Sequence, residues 1–242
     1  VDVADLLAHL DAEGPALAGA AERAGLDARV AACDWTVRDL VVHTGGVHRW
    51  AAAIVARRSP STDVPEGAAV GTGPGDDELL SWFLDGHRAL VQTLRDAPDD
   101  LDCAAFLPAP TPRHFWARRQ AHETAMHRAD AESAGGTIPP YTAGFAADGI
   151  AEVLTGFAPR RRNALPLAGR LLVAATDGPS WTVTTGGERA VTVPATDDAH
   201  DVTVAGTSSD LYLWLWNRPA TVTIDGDTSL ADQWRDFQVR WS

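Results

Sequence analysis

The spacing of apolar residues changes at Pro139-Pro140, and this switch restricts the chain to a helical unit followed by a mixed one. Before the prolines, apolar residues recur every three or four positions in long runs, as amphipathic helices of an antiparallel bundle require. Leu6, Leu7, Leu10, Leu17 and Ala21 form such a stripe on a first helix from Val3 to Ala24. A second helix is expected from Thr36, which with Asp39 makes a T-x-x-D capping box, to about Arg57, burying Val37, Leu40, Val41 and Val47. A third runs from Asp76 to Asp96, with Leu79, Leu80, Phe83, Leu84, Leu90, Val91 and Leu94 on one side. A fourth spans His114 to Ser133 and stops at Gly135-Gly136. The segments Ser59 to Gly75 and Ala97 to Arg113 have the Pro/Gly/Asp composition of surface loops. The G-T-G-P-G within the first follows no strand and contains Pro74, so it is not a dinucleotide fingerprint.

Beyond Pro140 a helix from Phe145 to Arg162 leads into short alternating segments. Strands are expected over Leu171 to Ala175, Trp181 to Thr185, Glu188 to Val193 across Gly186-Gly187, Asp201 to Ala205, and Thr221 to Ile224. A short helix capped by Ser208 or Ser209 precedes Arg218, and Ser229 to Val239 reads as a closing helix. The fold class is therefore α followed by α+β: a four-helix bundle over residues 1–140, then a small, mainly antiparallel α+β domain over residues 145–242.

Composition removes several functions. A formal net charge of -13 repels nucleic-acid phosphates and anionic lipid head groups, so neither nucleic acid nor membrane is an expected partner, whereas a small substrate, even an anionic one, can still be met by a local arginine cluster. All twenty basic residues are arginine, which excludes lysine nucleophiles and Schiff bases. The two cysteines, Cys33 and Cys103, lie outside any metal-binding spacing and read as packing residues in a reducing, cytoplasmic compartment. The first residues lack the basic and apolar regions of a signal peptide, and no apolar run approaches the roughly 18 residues of a bilayer span.

The chemistry concentrates in H-E-T-A-M-H-R-A-D, His122 to Asp130. At about 100° per residue, Glu123 and His127 share one helix face a turn apart, whereas His122 and His127 diverge by about 140°. This is not the HExxH of a zinc protease, and Glu123 is a ligand candidate in place of a general base. A third ligand must come from another helix, and His43 is the leading candidate because Leu40, Val41 and Val47 turn its face inward. Asp39, one turn earlier, is placed to accept its second ring N–H. Two histidines and a carboxylate suit catalytic zinc with an open position. The same residues also fit a surface ion pair and a hydrogen-bonded core histidine, and spacing does not choose between these readings. His48, His87, His114, His122 and His200 read as surface or capping residues, and Arg113, Arg118 and Arg119 as solvated arginines at a helix start.

Two strings, W-T-V-R-D-L-V-V-H-x-G-G-V-H-R-W (Trp35 to Trp50) and H-E-T-A-M-H-R-A-D, resemble the mycothiol-dependent maleylpyruvate isomerase family of the DinB-like superfamily. Asp148 to Arg161 and Val204 to Arg218 resemble that family's sterol-carrier-like C-terminal domain. The resemblance implies a zinc or other divalent-metal site on His43, Glu123 and His127, mycothiol as thiol cosubstrate, and a functional role for Arg218. It implies thiolate addition to a small electrophile, with cis-trans isomerisation of a maleylpyruvate-type diacid as the reaction. Transfer of mycothiol to an electrophile, or thiol exchange in detoxification or secondary metabolism, is the alternative that the shared site leaves open. A non-enzymatic reading remains as well, in which Trp181, Trp214, Trp216, Trp234 and Trp241 of the second domain shelter an apolar ligand.

Overall fold

The computed structural model describes residues 1–65, 73–160, 165–195 and 198–236. The chain divides into two compact units, Val1–Pro139 and Pro140–Ser242. Among its described residues the first is a bundle of four helices, α1 (Val3–Ala24), α2 (Val37–Ala56), α3 (Asp76–Asp96) and α4 (Pro112–Gly135). Along the bundle α1 packs against α4 and α2 against α3. Among the described residues no helix is long and apolar enough to cross a membrane.

Each helix starts where its capping chemistry allows. The Asp2 side chain accepts from the Asp5 N–H at the head of α1. Thr36 and Asp39 close a reciprocal capping box on α2. α4 begins two residues before the expected His114, because Thr111 caps it and Pro112 occupies the first turn, where a missing N–H is harmless. Leu17, Ala21, Val30, Val37, Leu40, Val41, Leu79 and Phe83 belong to one apolar cluster between the helices. α2 and α3 approach closely at Gly45, where a β-carbon would lie 2.3 Å from the Trp82 ring. The guanidinium of Arg49 sits 3.9 Å over that ring, holding it against the glycine.

α4 departs from the amphipathic pattern. It is buried on nearly every side from Phe115 to Ala131, yet much of what it buries is polar. Hydrophobic periodicity cannot register such a helix, since the hidden residues are not apolar. His48 of α2, His87 of α3 and His122 of α4, expected as surface or capping residues, are buried, and so is Arg119 of α4. Cys103 is buried as a packing residue should be, but Cys33 is exposed.

The second unit opens with α5 (Ala143–Ala151), which continues as a π-helical turn over Glu152–Phe157. Arg161 and Arg162, expected to end this helix, lie outside the described residues. Five strands follow, β1 (Gly169–Ala175), β2 (Trp181–Thr185), β3 (Val191–Pro194), β4 (Val202–Gly206) and β5 (Thr223–Gly226), with α6 (Ser208–Leu215) and α7 (Thr228–Arg235). Their order in the sheet is β3-β2-β1-β4-β5. Among the described residues the central β1–β4 pair is parallel and the other three pairings are antiparallel. β3 starts later than expected, the intervening residues being taken up by the turn after Gly186.

Two caps differ from expectation. Thr207, not a serine, accepts from the Asp210 N–H to start α6. The other end of α6 is a Schellman closure. Asn217 adopts φ 60°, its N–H donates to the Trp214 carbonyl at 2.9 Å, and the Arg218 N–H donates to the Leu213 carbonyl at 2.9 Å. The core of the unit joins Leu171, Val173, Val183, Val202 and Val204 of the sheet to Phe145, Phe157, Tyr212 and Trp234. Trp214 is buried and Trp216 partly so, while Trp241 lies outside the described residues.

Candidate metal centre

Halfway along the bundle, α2 and α4 bring His43, Glu123 and His127 together. One donor atom from each lies within 4.8 Å of the other two. The Oε1 atom of Glu123 is 3.2 Å from Nε2 of His127 and 3.5 Å from Nε2 of His43. The two imidazoles stand edge to face, with ring centroids 5.2 Å apart. The helical repeat places Glu123 and His127 on one face, and the capping box at Thr36 fixes the start of α2 so that His43 meets them.

The surroundings orient these groups. His127 lies 3.1 Å from Oδ2 of Asp130 through Nδ1, which leaves Nε2 to face Glu123. Asp130 is itself buried. Arg119, one turn before Glu123 and 0% exposed, donates from Nη2 to Glu123 Oε2 at 3.1 Å. The Trp35 ring lies 4.8 Å from that of His43 and 6.3 Å from that of His127, centroid to centroid. His43 keeps a side chain 37% exposed, whereas His127 and Glu123 are largely enclosed. Solvent therefore reaches the cluster on the His43 side.

The protonation of the cluster follows from its charges. Burial alone would raise the Glu123 carboxyl, but the charge and hydrogen bond of His127, the hydrogen bond of His43 and the charge of Arg119 together hold it well below the usual range. Burial would likewise lower His127, yet the Glu123 charge, with the hydrogen bonds and charge of Asp130, pushes it up to about 9. Nε2 of His127 faces Glu123 and Nδ1 faces Asp130, so both carboxylates favour the protonated ring. A divalent cation can take the place of the Nε2 proton, because two imidazole nitrogens and a carboxylate oxygen already converge on one point. The residues present fit such an ion.

Asp39 does not serve His43. Its Oδ2 accepts from the Thr36 backbone N–H at 2.9 Å and from the Thr36 hydroxyl at 2.7 Å, so the capping box consumes it. The supporting carboxylate belongs instead to His127 and comes from Asp130. That partner was legible, since Asp130 lies three residues beyond His127 on the same face. Arg119 was legible by the same rule, four residues before Glu123, but its charge argued for the surface. His48 lies on the buried side of α2, where its Nε2 meets the Thr124 hydroxyl at 2.9 Å. Arg113 is engaged with Asp99 and the end of α3. In the second unit, Arg218 directs Nη1 to the Trp216 carbonyl at 2.6 Å, a contact that steadies the end of α6.

The sequence profile of the mycothiol maleylpyruvate isomerase N-terminal domain matches residues 7–132, and that of the corresponding C-terminal domain matches residues 144–233. A crystal structure of the mycothiol-dependent maleylpyruvate isomerase aligns with a TM-score of 0.63 at 14% identity, covering 93% of each chain. A histidine-to-alanine mutant of that isomerase aligns with a TM-score of 0.62 at 13% identity, again over 93% of each chain. The sequence matches no curated protein.

Proposed function

Since the chain belongs to the mycothiol maleylpyruvate isomerase family of enzymes, we propose that it uses a zinc ion on His43, Glu123 and His127 to activate mycothiol for addition to a small electrophile. The observation that carries this reading is the convergence of three ligand-type atoms within 4.8 Å of one another, two imidazole nitrogens and one carboxylate oxygen. That donor set suits a borderline-soft ion such as zinc better than a hard, oxygen-seeking one. When bound, the ion supplies the positive charge that keeps a thiol deprotonated, and therefore nucleophilic, at neutral pH.

The protein's own side chains do the rest. Asp130 fixes the ring of His127 so that Nε2 faces the site. Arg119 fixes the carboxylate of Glu123. Trp35 covers the flank of His43, while the partly exposed side of that histidine offers the thiol and its substrate a way in. For a cis-configured unsaturated keto diacid, the thiolate adds to the double bond and the electron pair moves onto the conjugated ketone as an enolate. Rotation about the new single bond follows. Collapse of the enolate expels the thiolate and leaves the trans isomer, so the thiol is regenerated. We assign Arg218 the task of clamping a substrate carboxylate and stabilising the enolate charge.

The test is turnover by the purified protein supplied with zinc, mycothiol and maleylpyruvate. Isomerisation with no loss of free thiol is the expected result, and Arg218→Met should raise KM for the diacid. Accumulation of a stable mycothiol adduct would identify a thiol transferase instead. No reaction under either regime would remove the proposal.

A further inference from the structure

The two oxygens of Glu123 are used differently. Oε1 faces the imidazoles of His43 and His127, at 3.5 and 3.2 Å. Oε2 faces away from them and accepts from Nη2 of Arg119 at 3.1 Å. Arg119 has no access to solvent, and the Glu123 side chain is only 6% exposed. A guanidinium remains charged at any pH the fold survives, so this bond persists wherever the enzyme works.

Burying an arginine is costly, and a methionine would fill the same space without desolvation. A carboxylate can bind a cation through one oxygen or through both, and the second mode uses up a coordination position. Three protein donors leave a catalytic ion open only if the carboxylate contributes a single atom. We propose that Arg119 is a positioning residue of the metal centre: by holding Oε2, it makes Glu123 a one-oxygen ligand and keeps a coordination position open for the thiol. This inference rests on the metal-centre reading above. The arginine also offsets the carboxylate charge, leaving the site more positive and so more attractive to an anionic sulfur.

The two roles open to Arg119 predict opposite results. Were it only a structural counter-ion, its loss would leave Glu123 poorly held and metal binding would weaken. Were it the positioning residue, its loss would free Oε2 to join the ion. Metal affinity would then hold or rise while thiol affinity fell. The first measurement is made on the unmodified protein loaded with zinc, by X-ray absorption or crystallography. Expected is one carboxylate oxygen at about 2.0–2.2 Å with the Arg119 contact intact. Both oxygens within bonding distance would overturn the proposal.

The second measurement uses cobalt in place of zinc and 2-mercaptoethanol as the thiol probe. Arg119→Met should bind one equivalent of cobalt, show the weaker visible bands of a higher coordination number, and bind the probe at least about tenfold less tightly. Arg119→Lys, which keeps the charge but not the fork geometry, should recover part of the thiol affinity. A cobalt spectrum and thiol affinity in Arg119→Met equal to those of the parent would contradict the proposal. If Arg119→Met does not fold, the zinc-loaded parent decides the matter alone. Failure of the parent to bind either metal would instead remove the metal-centre reading, and this inference with it.

Discussion

Helix α4 and the second unit's sheet both supply a core, but they bury different chemistry. α4 takes Arg119, Gln120, His122, Glu123, Thr124, Arg128 and Asp130 out of water, whereas β1, β2 and β4 bury Leu171, Val173, Val183, Val202 and Val204 with two threonines, Thr182 and Thr185. An apolar core is the cheaper way to hold helices together, since each buried charge must recover its desolvation through a partner. Two of these groups, Arg119 and Asp130, hold Glu123 and His127 where His43 meets them, whereas Arg128 pairs with Glu13 of α1 and Thr124 with His48. Among the described residues the second unit brings no second set of metal-ligating groups together, although it buries Glu152, Ser208 and Ser209.

If that contrast is right, the two units should fail differently. The largest effect is expected at Glu123. Glu123→Leu leaves the Arg119 guanidinium buried without its carboxylate, and urea denaturation should show a loss of about 3–5 kcal/mol. The double variant Glu123→Leu with Arg119→Met should recover most of it. Additive losses in that cycle would show that the pair is not coupled, and would erase the distinction between the two cores.

A smaller effect is expected from packing alone in the second unit. A β-carbon on Gly149 would lie 2.3 Å from the buried Tyr212 ring, so Gly149→Ala should destabilise by about 1–3 kcal/mol without altering metal content. Unchanged stability would mean that α5 and α6 slide apart easily.

The smallest effect is a slope. Burial, with the nearby charges of His87, Arg49 and His127, pushes His48 well below its ordinary 6.5, and the Glu123 charge only partly opposes this. A depressed imidazole contributes stability above 6.5 that is lost as the pH falls, because the unfolded chain takes up a proton that the folded chain refuses. His48 should thus add about 1.4 kcal/mol of destabilisation per pH unit below that value. Denaturation of His48→Leu between pH 7 and 5 should be flatter by that amount. An unchanged slope would show that His48 is protonated in the folded protein.

The same contrast explains what the sequence discloses. The apolar stripe from Leu6 to Ala21 and the capping pair Thr36 and Asp39 locate α1 and the start of α2 to the residue, because each is a local signal with one physical reading. The alternation at Trp181 to Thr185 does the same for β2. Glu123 and His127 are legible as a pair through helical spacing, and His43 through its apolar neighbours. The burial of Arg119, His48 and His122 is not, since a charged or polar side chain enters a core only when a partner from elsewhere in the fold receives it. Asp39 shows the reverse error: its spacing from His43 was suitable, but a nearer backbone N–H claimed it.

The proposed chemistry needs one cation held jointly by α2 and α4, and the direct test is to count that ion. Purified protein dialysed against zinc and analysed by mass spectrometry of the metal should carry one equivalent per chain, and His127→Ala, folded by circular dichroism, should carry none. An equal zinc content in the two proteins, or none in the parent, would contradict it.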